Sequence, residues 1–375
     1  VRAAGSNPTK KEIEVVNTEE ASGNAEFKLA GGKVDIGAHE YGLTHGEDAN
    51  WYLKTEGELT KTAKSVETMP ALHLSIVNAG MNELRKRLGD LRSGNPDAPA
   101  GVWVRGYGKR LRVHERTGAR LNMLGMEGGI DAAAELFGGR TYLGVMGGYL
   151  SANDIRVFQS GAPDAKGHTK TPVAGLYATW LPHNSPWFVD LTARHFWVHT
   201  DLDNLSGGNR TNGYDIKRGF WAFTAETGRL FDFDAPRALN AGSSLITFEP
   251  KIELRYVHGE AKDFTADNGE IGSIDSTSSL VSRFNLQTSY LPEGRTSNWK
   301  LFLELGLYNE WIGRTKVKFA DTRLTTSDLS GLGFEASLGF NAAVAENAYC
   351  YGAVTLEAGE AYTSYQLNAG LRVSF

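Results

Sequence analysis

From Ile246 to Tyr256, ionisable and apolar residues alternate strictly. Glu249, Lys251, Glu253 and Arg255 share one parity with Thr247, and Ile246, Phe248, Ile252, Leu254 and Tyr256 occupy the other with Pro250. The same parity, carried through the second part of the chain, collects Glu127, Asp131, Asp190, Glu226, Glu249, Glu253, Glu304, Glu335 and Glu357 on one face. Arg105, Arg194, Arg218, Arg255, Arg283 and Arg372 join them there. Carboxylates and guanidiniums gathered on a common face can compensate one another as an ion-pair network. They also offer acidic partners to the basic run Arg85, Lys86, Arg87 and Arg92, so contacts of Arg85, Lys86 and Arg87 with acids such as Glu127 and Glu304 are expected. Chemistry on an external substrate has no support, since there is no HExxH, Gly-x-Ser-x-Gly, P-loop or Cys/His pair, and the nine histidines are scattered. The single cysteine, Cys350, rules out an intramolecular disulfide and a multi-cysteine metal site, and no metal or cofactor is expected. A net charge of −5 gives no reason to expect a nucleic-acid partner.

The elements that would carry these residues differ along the chain. Glu26 to Leu29, Lys33 to Tyr41 and Asn50 to Leu53 are short β-like pieces, and residues 58–68 read as a polar linker. A helix is expected from Pro70 to Arg92, with Pro70 in its first turn and Leu84, Leu88 and Leu91 on one face. At about 1.5 Å per residue it would be about 34 Å long. After Gly101 the period becomes two. No run of about 18 apolar residues exists, so a helical membrane span is excluded, whereas a barrel strand needs only about 9 to 11 alternating residues. Alternating segments fall near 101–112, 122–136, 141–154, 168–181, 187–200, 214–231, 244–259, 273–290, 300–313, 332–342, 347–357 and 364–375, about twelve in all. Polar stretches at 113–121, 155–167, 201–213, 260–272 and 314–331 are long, those at 137–140 and 182–186 are short, and 232–243 breaks the rule. Long loops on one rim and short turns on the other mark an outer-membrane barrel rather than a sandwich. Slipping one strand by a residue would place charges in lipid at about 2 to 4 kcal/mol for each Lys or Arg at the midplane. The expected fold is all-β, an antiparallel transmembrane barrel of about twelve strands with a helix in its lumen.

Three stretches carry a family resemblance. The terminal Asn368-Ala369-Gly370-Leu371-Arg372-Val373-Ser374-Phe375 looks like the outer-membrane assembly signal, with Asn368, Gly370, Val373 and Phe375 at its defining positions. Residues 82–92 followed by Gly101-Val102-Trp103-Val104-Arg105-Gly106 resemble the helix-to-first-strand join of type V autotransporter translocators. Val34 to Tyr41 with Asn50 to Leu53 resembles the end of a pertactin-like β-helical passenger. The resemblance implies residues 1–57 as the passenger's C-terminal end at the cell surface, 58–100 as linker and barrel-plugging helix, and 101–375 as the translocator. Its implied partners are outer-membrane lipids, the barrel assembly machinery, periplasmic chaperones and an N-terminal passenger. An opening at Val1 without a signal peptide reads as a fragment of an exported protein.

The family also implies one intramolecular reaction. In its enteric serine-protease members the helix is cut inside the barrel after an Asn that attacks its own carbonyl, assisted by lumen carboxylates. Asn82 resembles that Asn, and Asp190, Glu226, Glu253 and Arg372 resemble the lumen residues around it. The family has a second Asn where this chain has Glu83, and Asn78-Ala79 is an alternative bond. Competing readings are an uncleaved adhesin anchor, a porin-like channel, which leaves residues 1–92 unexplained, and an outer-membrane lipase, for which no Ser, His and polar partner stand out.

Overall fold

The computed structural model describes residues 7, 10–17, 26–81, 98–114, 118–160, 162–206, 209–234, 244–320, 322–325 and 328–375. Four short strands come first: β1 (Ile13–Val16), β2 (Lys33–Ile36), β3 (His39–His45) and β4 (Trp51–Lys54). They pair antiparallel in the order β1-β4-β3-β2 around Ile36, Tyr41 and Leu53. Residues 58–60 are not a free linker. The Glu40 N–H donates to the Glu58 carbonyl and the Thr60 N–H to the Ala38 carbonyl, each at 2.9 Å, so this segment is bound along β3.

The helix α1 (Lys61–Gly80) follows at once, nine residues before the expected start at Pro70. Thr60 caps it, its hydroxyl accepting from the Ala63 N–H at 3.1 Å and satisfying one of the donors a helix leaves unpaired at its N-terminus. Pro70 lies in the helix interior, where a missing N–H and a ring clash cost about 3 kcal/mol. Burial of α1 on nearly every face offsets that cost. The expected stretch 82–92 lies outside the described residues.

The remaining strands are β5 (Ala100–Val113), β6 (Gly118–Leu136), β7 (Gly139–Ser160), β8 (Ala162–Pro182), β9 (Trp187–Ser206), β10 (Asn209–Arg229), β11 (Phe231–Asp234) and β12 (Leu245–Gly259). They continue with β13 (Lys262–Thr265), β14 (Ile271–Ile274), β15 (Thr277–Leu291), β16 (Trp299–Glu310), β17 (Val317–Phe319), β18 (Thr322–Leu324), β19 (Gly331–Ala345), β20 (Ala348–Gly359) and β21 (Tyr362–Ser374). Twelve of them close an antiparallel barrel in the order β5-β6-β7-β8-β9-β10-β12-β15-β16-β19-β20-β21. The seam is β21 on β5, where the Ala100 and Phe375 backbones exchange both hydrogen bonds, at 3.1 and 3.0 Å. Two expected loops, 155–167 and 201–213, are strand instead: the β7–β8 and β9–β10 ladders run on far above the barrel. Two others hold β13, β14, β17 and β18, which pair into a four-stranded sheet over the same mouth.

The outer surface explains where the lipid lies. Leu124, Met126 and Leu367 are 64, 65 and 62% exposed, and Leu303, Leu305, Leu338, Leu356 and Phe284 stand beside them in a continuous apolar belt. Such a belt is the lipid-facing surface of a membrane barrel. Above it the alternation inverts. On β5, Val102 and Val104 face out and Arg105 in, but further up Arg110 and Arg112 face out and Leu111 and Val113 in. On β10 the outward Phe223 and Trp221 give way to Lys217 and Asp215, while Phe220, Ile216 and Tyr214 fill the inside. The barrel thus has an ionic lumen within the membrane and an apolar lumen above it.

Candidate functional site in the barrel lumen

The lumen site is built around α1. Val66, Met69, Leu72, Leu74, Ile76 and Val77 are fully buried, and they share one core with Leu111, Leu121, Leu150, Phe196, Ile216 and Phe220 of the barrel. Phe264, Ile274, Val317 and Phe319 close that core from the overlying sheet. The sequence analysis expected the helix to dock through its bases; its described part docks through apolar side chains, because the lumen at its level is apolar.

Polar contacts fix its position along the axis. At the upper end Lys61 Nζ donates to the Leu205 carbonyl at 2.7 Å and lies 3.6 Å from Asp164. Asn204 and Asn212 both donate to Thr62 Oγ1, at 3.2 and 3.1 Å, and the Tyr214 hydroxyl donates to Ser65 Oγ at 2.9 Å. Halfway down, His73 bridges two strands, with Nε2 3.1 Å from Thr200 Oγ1 and Nδ1 3.4 Å from Arg218 Nη1. At the lower end Gly80 passes against the Phe196 ring, where a Cβ would come to 2.8 Å of a ring carbon.

The helix ends on a guanidinium cluster. Arg194 Nη1 donates to the Gly80 carbonyl at 2.6 Å, Arg105 Nη2 reaches the same oxygen at 3.5 Å, and Arg255 Nη2 donates to the Met81 carbonyl at 2.8 Å. Gly80 closes α1 and Met81 is its C-cap, where the helix dipole makes the end negative, so the three cations supply both hydrogen bonds and opposite charge there. Glu127 holds two of the three, at 3.0 Å from Arg105 and 3.4 Å from Arg194, while Glu253 holds Arg255 at 2.8 Å.

All the acids and arginines assigned inward by parity are buried in the lumen. Asp190, Glu226 and Glu253 stand directly opposite one another across β9, β10 and β12, and Arg255 links this row to Met81, the residue before Asn82. Arg372 does not join them. It makes a bidentate pair with Asp131 at 2.6 and 2.7 Å, and Asp131 also accepts from Tyr177 at 2.6 Å. Glu304 is bonded to Lys251 and, at 3.2 Å, to Asn285, whereas Glu127 supports the helix end indirectly through Arg105 and Arg194. Asn82, Arg85, Lys86 and Arg87 lie outside the described residues. Of the assembly-signal positions, Asn368 points into the lumen and Phe375 is exposed at the lower rim, while Val373 is half-buried. Gly370 is required by packing, because the Tyr351 ring directly across on β20 would stand 2.3 Å from a Cβ.

The sequence reading missed Thr62, Ser65, His73, Asn204, Asn212 and Tyr214 as helix contacts. Only Thr60, an N-cap residue type ahead of Ala63, Val66 and Met69 at helical spacing, signalled the true start of α1. Toward the lower mouth the lumen retains a cavity of about 350 Å³ lined by Thr247, Glu249, Gln287, Ser289, Lys300 and Asn341 among others.

Comparison with known proteins gives two family matches, the autotransporter β-domain over residues 102–355 and pertactin over residues 1–55. The chain is 28% identical to the autotransporter CRAC of Citrobacter rodentium over 97% of its length, which is 23% of that protein. It is 25% identical to the adhesin/invasin TibA of Escherichia coli over 97% of its length, 41% of TibA. The chain therefore spans well under half the length of these relatives. Among solved structures, the transport unit of AIDA-I from Escherichia coli matches with a TM-score of 0.64 at 15% identity, covering 82% of this chain and 98% of that one. The β-domain of Bordetella BrkA matches at 0.57 and 22% identity, covering 74% and 100%.

Proposed function

As this chain belongs to the autotransporter family and its barrel is an outer-membrane translocator of type V secretion, we propose that it anchors an N-terminal passenger at the cell surface and keeps α1 in the lumen as both seal and tether. The observation that carries this reading is the capture of the Gly80 and Met81 carbonyls by Arg194, Arg105 and Arg255 at the foot of a helix buried on nearly every face. Residues 58–60, bound along β3, couple that helix to the β1–β4 sheet on the cell-surface side. The terminal strand serves as the handle for the assembly machinery, met by periplasmic chaperones before the seam with β5 uses its second edge.

Planar-bilayer recording of the intact chain tests the seal. Low conductance is expected, rising when Arg194→Ala and Arg255→Ala are combined. A large steady conductance from the unaltered chain would sink the reading.

The row of Asp190, Glu226 and Glu253 supports a second one. The Asn82 side-chain nitrogen attacks the Asn82 carbonyl carbon, forming a succinimide and breaking the bond to Glu83, whose nitrogen leaves protonated. The carboxylates orient the amide and manage the transferred proton. An intact mass beginning at Glu83, lost in Asn82→Ala, is the expected result; an uncut chain recovered from outer membranes would mean permanent display.

A further inference from the structure

Above the membrane belt, the outward face of the β8–β9–β10 ladder carries His168, His199, Asp201 and Asp215. Asp201 is directly opposite His168 on one side and Asp215 on the other. His199 precedes Asp201 by two residues and so points the same way. His168 Nε2 lies 3.1 Å from Asp201 Oδ2, His199 Nε2 lies 4.0 Å from that same oxygen, and His199 Nε2 also contacts Asp215 Oδ2. Donor atoms of His199, Asp201 and Asp215 all fall within 4.8 Å of one another.

Two features set this group apart from scattered surface charges. Two carboxylates opposed on neighbouring strands repel, and a cation shared between them would turn that repulsion into attraction. Two of the donor separations, 3.1 Å for His168 to Asp201 and 4.0 Å for His199 to Asp201, lie near the spacing of about 3.3 Å that a tetrahedral ion bound at about 2.0 to 2.1 Å imposes on its ligands. An ordinary His–carboxylate pair, such as His183 with Glu135 at 2.8 Å on the opposite rim, has neither feature. Lys170 and Lys217 stand opposite His199, but both are exposed and long enough to turn into solvent.

We propose that His168, His199, Asp201 and Asp215 form a binding site for a divalent first-row transition metal of the zinc class on the cell-surface side of the barrel. Two imidazoles favour such an ion over calcium or magnesium, which prefer all-oxygen shells. The outward Trp197 lies four residues below Asp201, about 14 Å along the strand, so the site stands clear of the lipid belt and open to solvent. Bound there, the ion would clip together three strands at the height where they leave the membrane.

The test is calorimetric titration of the untagged, detergent-folded chain with zinc chloride at neutral pH, with cobalt(II) as an optical reporter. A single ion per chain and the absorption of tetrahedral cobalt are expected. His199→Ala and Asp201→Asn should each weaken binding by about tenfold or more, while His183→Ala leaves it unchanged and every variant keeps the heat resistance of the folded barrel. Substoichiometric binding, or undiminished affinity in His168→Ala/His199→Ala, would overturn the proposal and leave a set of ordinary surface ion pairs.

Discussion

Glu127 is the residue on which the lower end of the helix depends most. Its side chain is buried against Arg105 and Arg194, and both of those reach the Gly80 carbonyl. Glu127→Ala leaves two adjacent guanidiniums without their carboxylate, a change that costs about 3 to 5 kcal/mol when a buried pair loses one partner. Urea unfolding of the detergent-folded protein should show that loss; a change under about 1 kcal/mol would mean that water replaces the carboxylate at little cost. At this scale, strand alternation was enough to place Glu127, Glu304 and Arg372 inside, because lipid tolerates no other parity. It could not pair them. Arg372 meets Asp131 and Glu304 meets Lys251 across the lumen, and those encounters depend on barrel stagger, which periodicity does not encode.

At the scale of elements, the β1–β4 sheet and α1 behave as one unit, because residues 58–60 belong to both. His39 sits at that junction, buried, with Nδ1 3.3 Å from the Glu58 carbonyl. Burial, with Lys10 adding to it, holds its pKa below the usual 6.5. Since the folded sheet binds the proton more weakly than the unfolded chain, the contribution of His39 is present above about 6.5 and is lost as pH falls toward the lowered folded value. Protection of the β2–β3 amides, taken as the observed exchange rate relative to the intrinsic rate at the same pH, should therefore fall between neutral and mildly acidic pH, and His39→Gln should flatten that response; an equal response in the variant would assign it to another group. The strands themselves were legible from their alternation, yet the helix start was not, since Pro70 reads as a first-turn residue whenever its surroundings are unknown. Confinement inside the barrel is what lets α1 carry it in the interior.

For the whole molecule, the inversion of strand polarity determines what holds up what. Within the lipid belt each strand has an apolar outside to satisfy the membrane, and strand-to-strand pairs such as Lys109 with Glu357 and Arg283 with Glu335 line the inside. Above the belt, Leu111, Leu121, Leu150, Val198 and Ile216 point inward, and the core they bury against is α1. This division was not legible from the sequence. The ladders run into 155–167 and 201–213 with bulges at Phe158 and between Arg210 and Asn212, and outward residues such as Lys166, Asp203 and Arg210 are polar, so these stretches read as polar loops until their inner face is known to be covered. The upper ladders should therefore depend on the helix and the membrane barrel should not. Placing charges on α1 with Leu72→Asp and Ile76→Asp removes two contacts worth about 1.5 to 3 kcal/mol each and adds buried carboxylates. Limited proteolysis of the intact chain, mapped by mass, should then show new cuts within the upper parts of β7–β8 and β9–β10. The membrane barrel below should stay uncut. Cuts spread evenly over both zones would mean that the helix supports the whole barrel, and an unchanged pattern would mean that the tall hairpins stand on their own ladders.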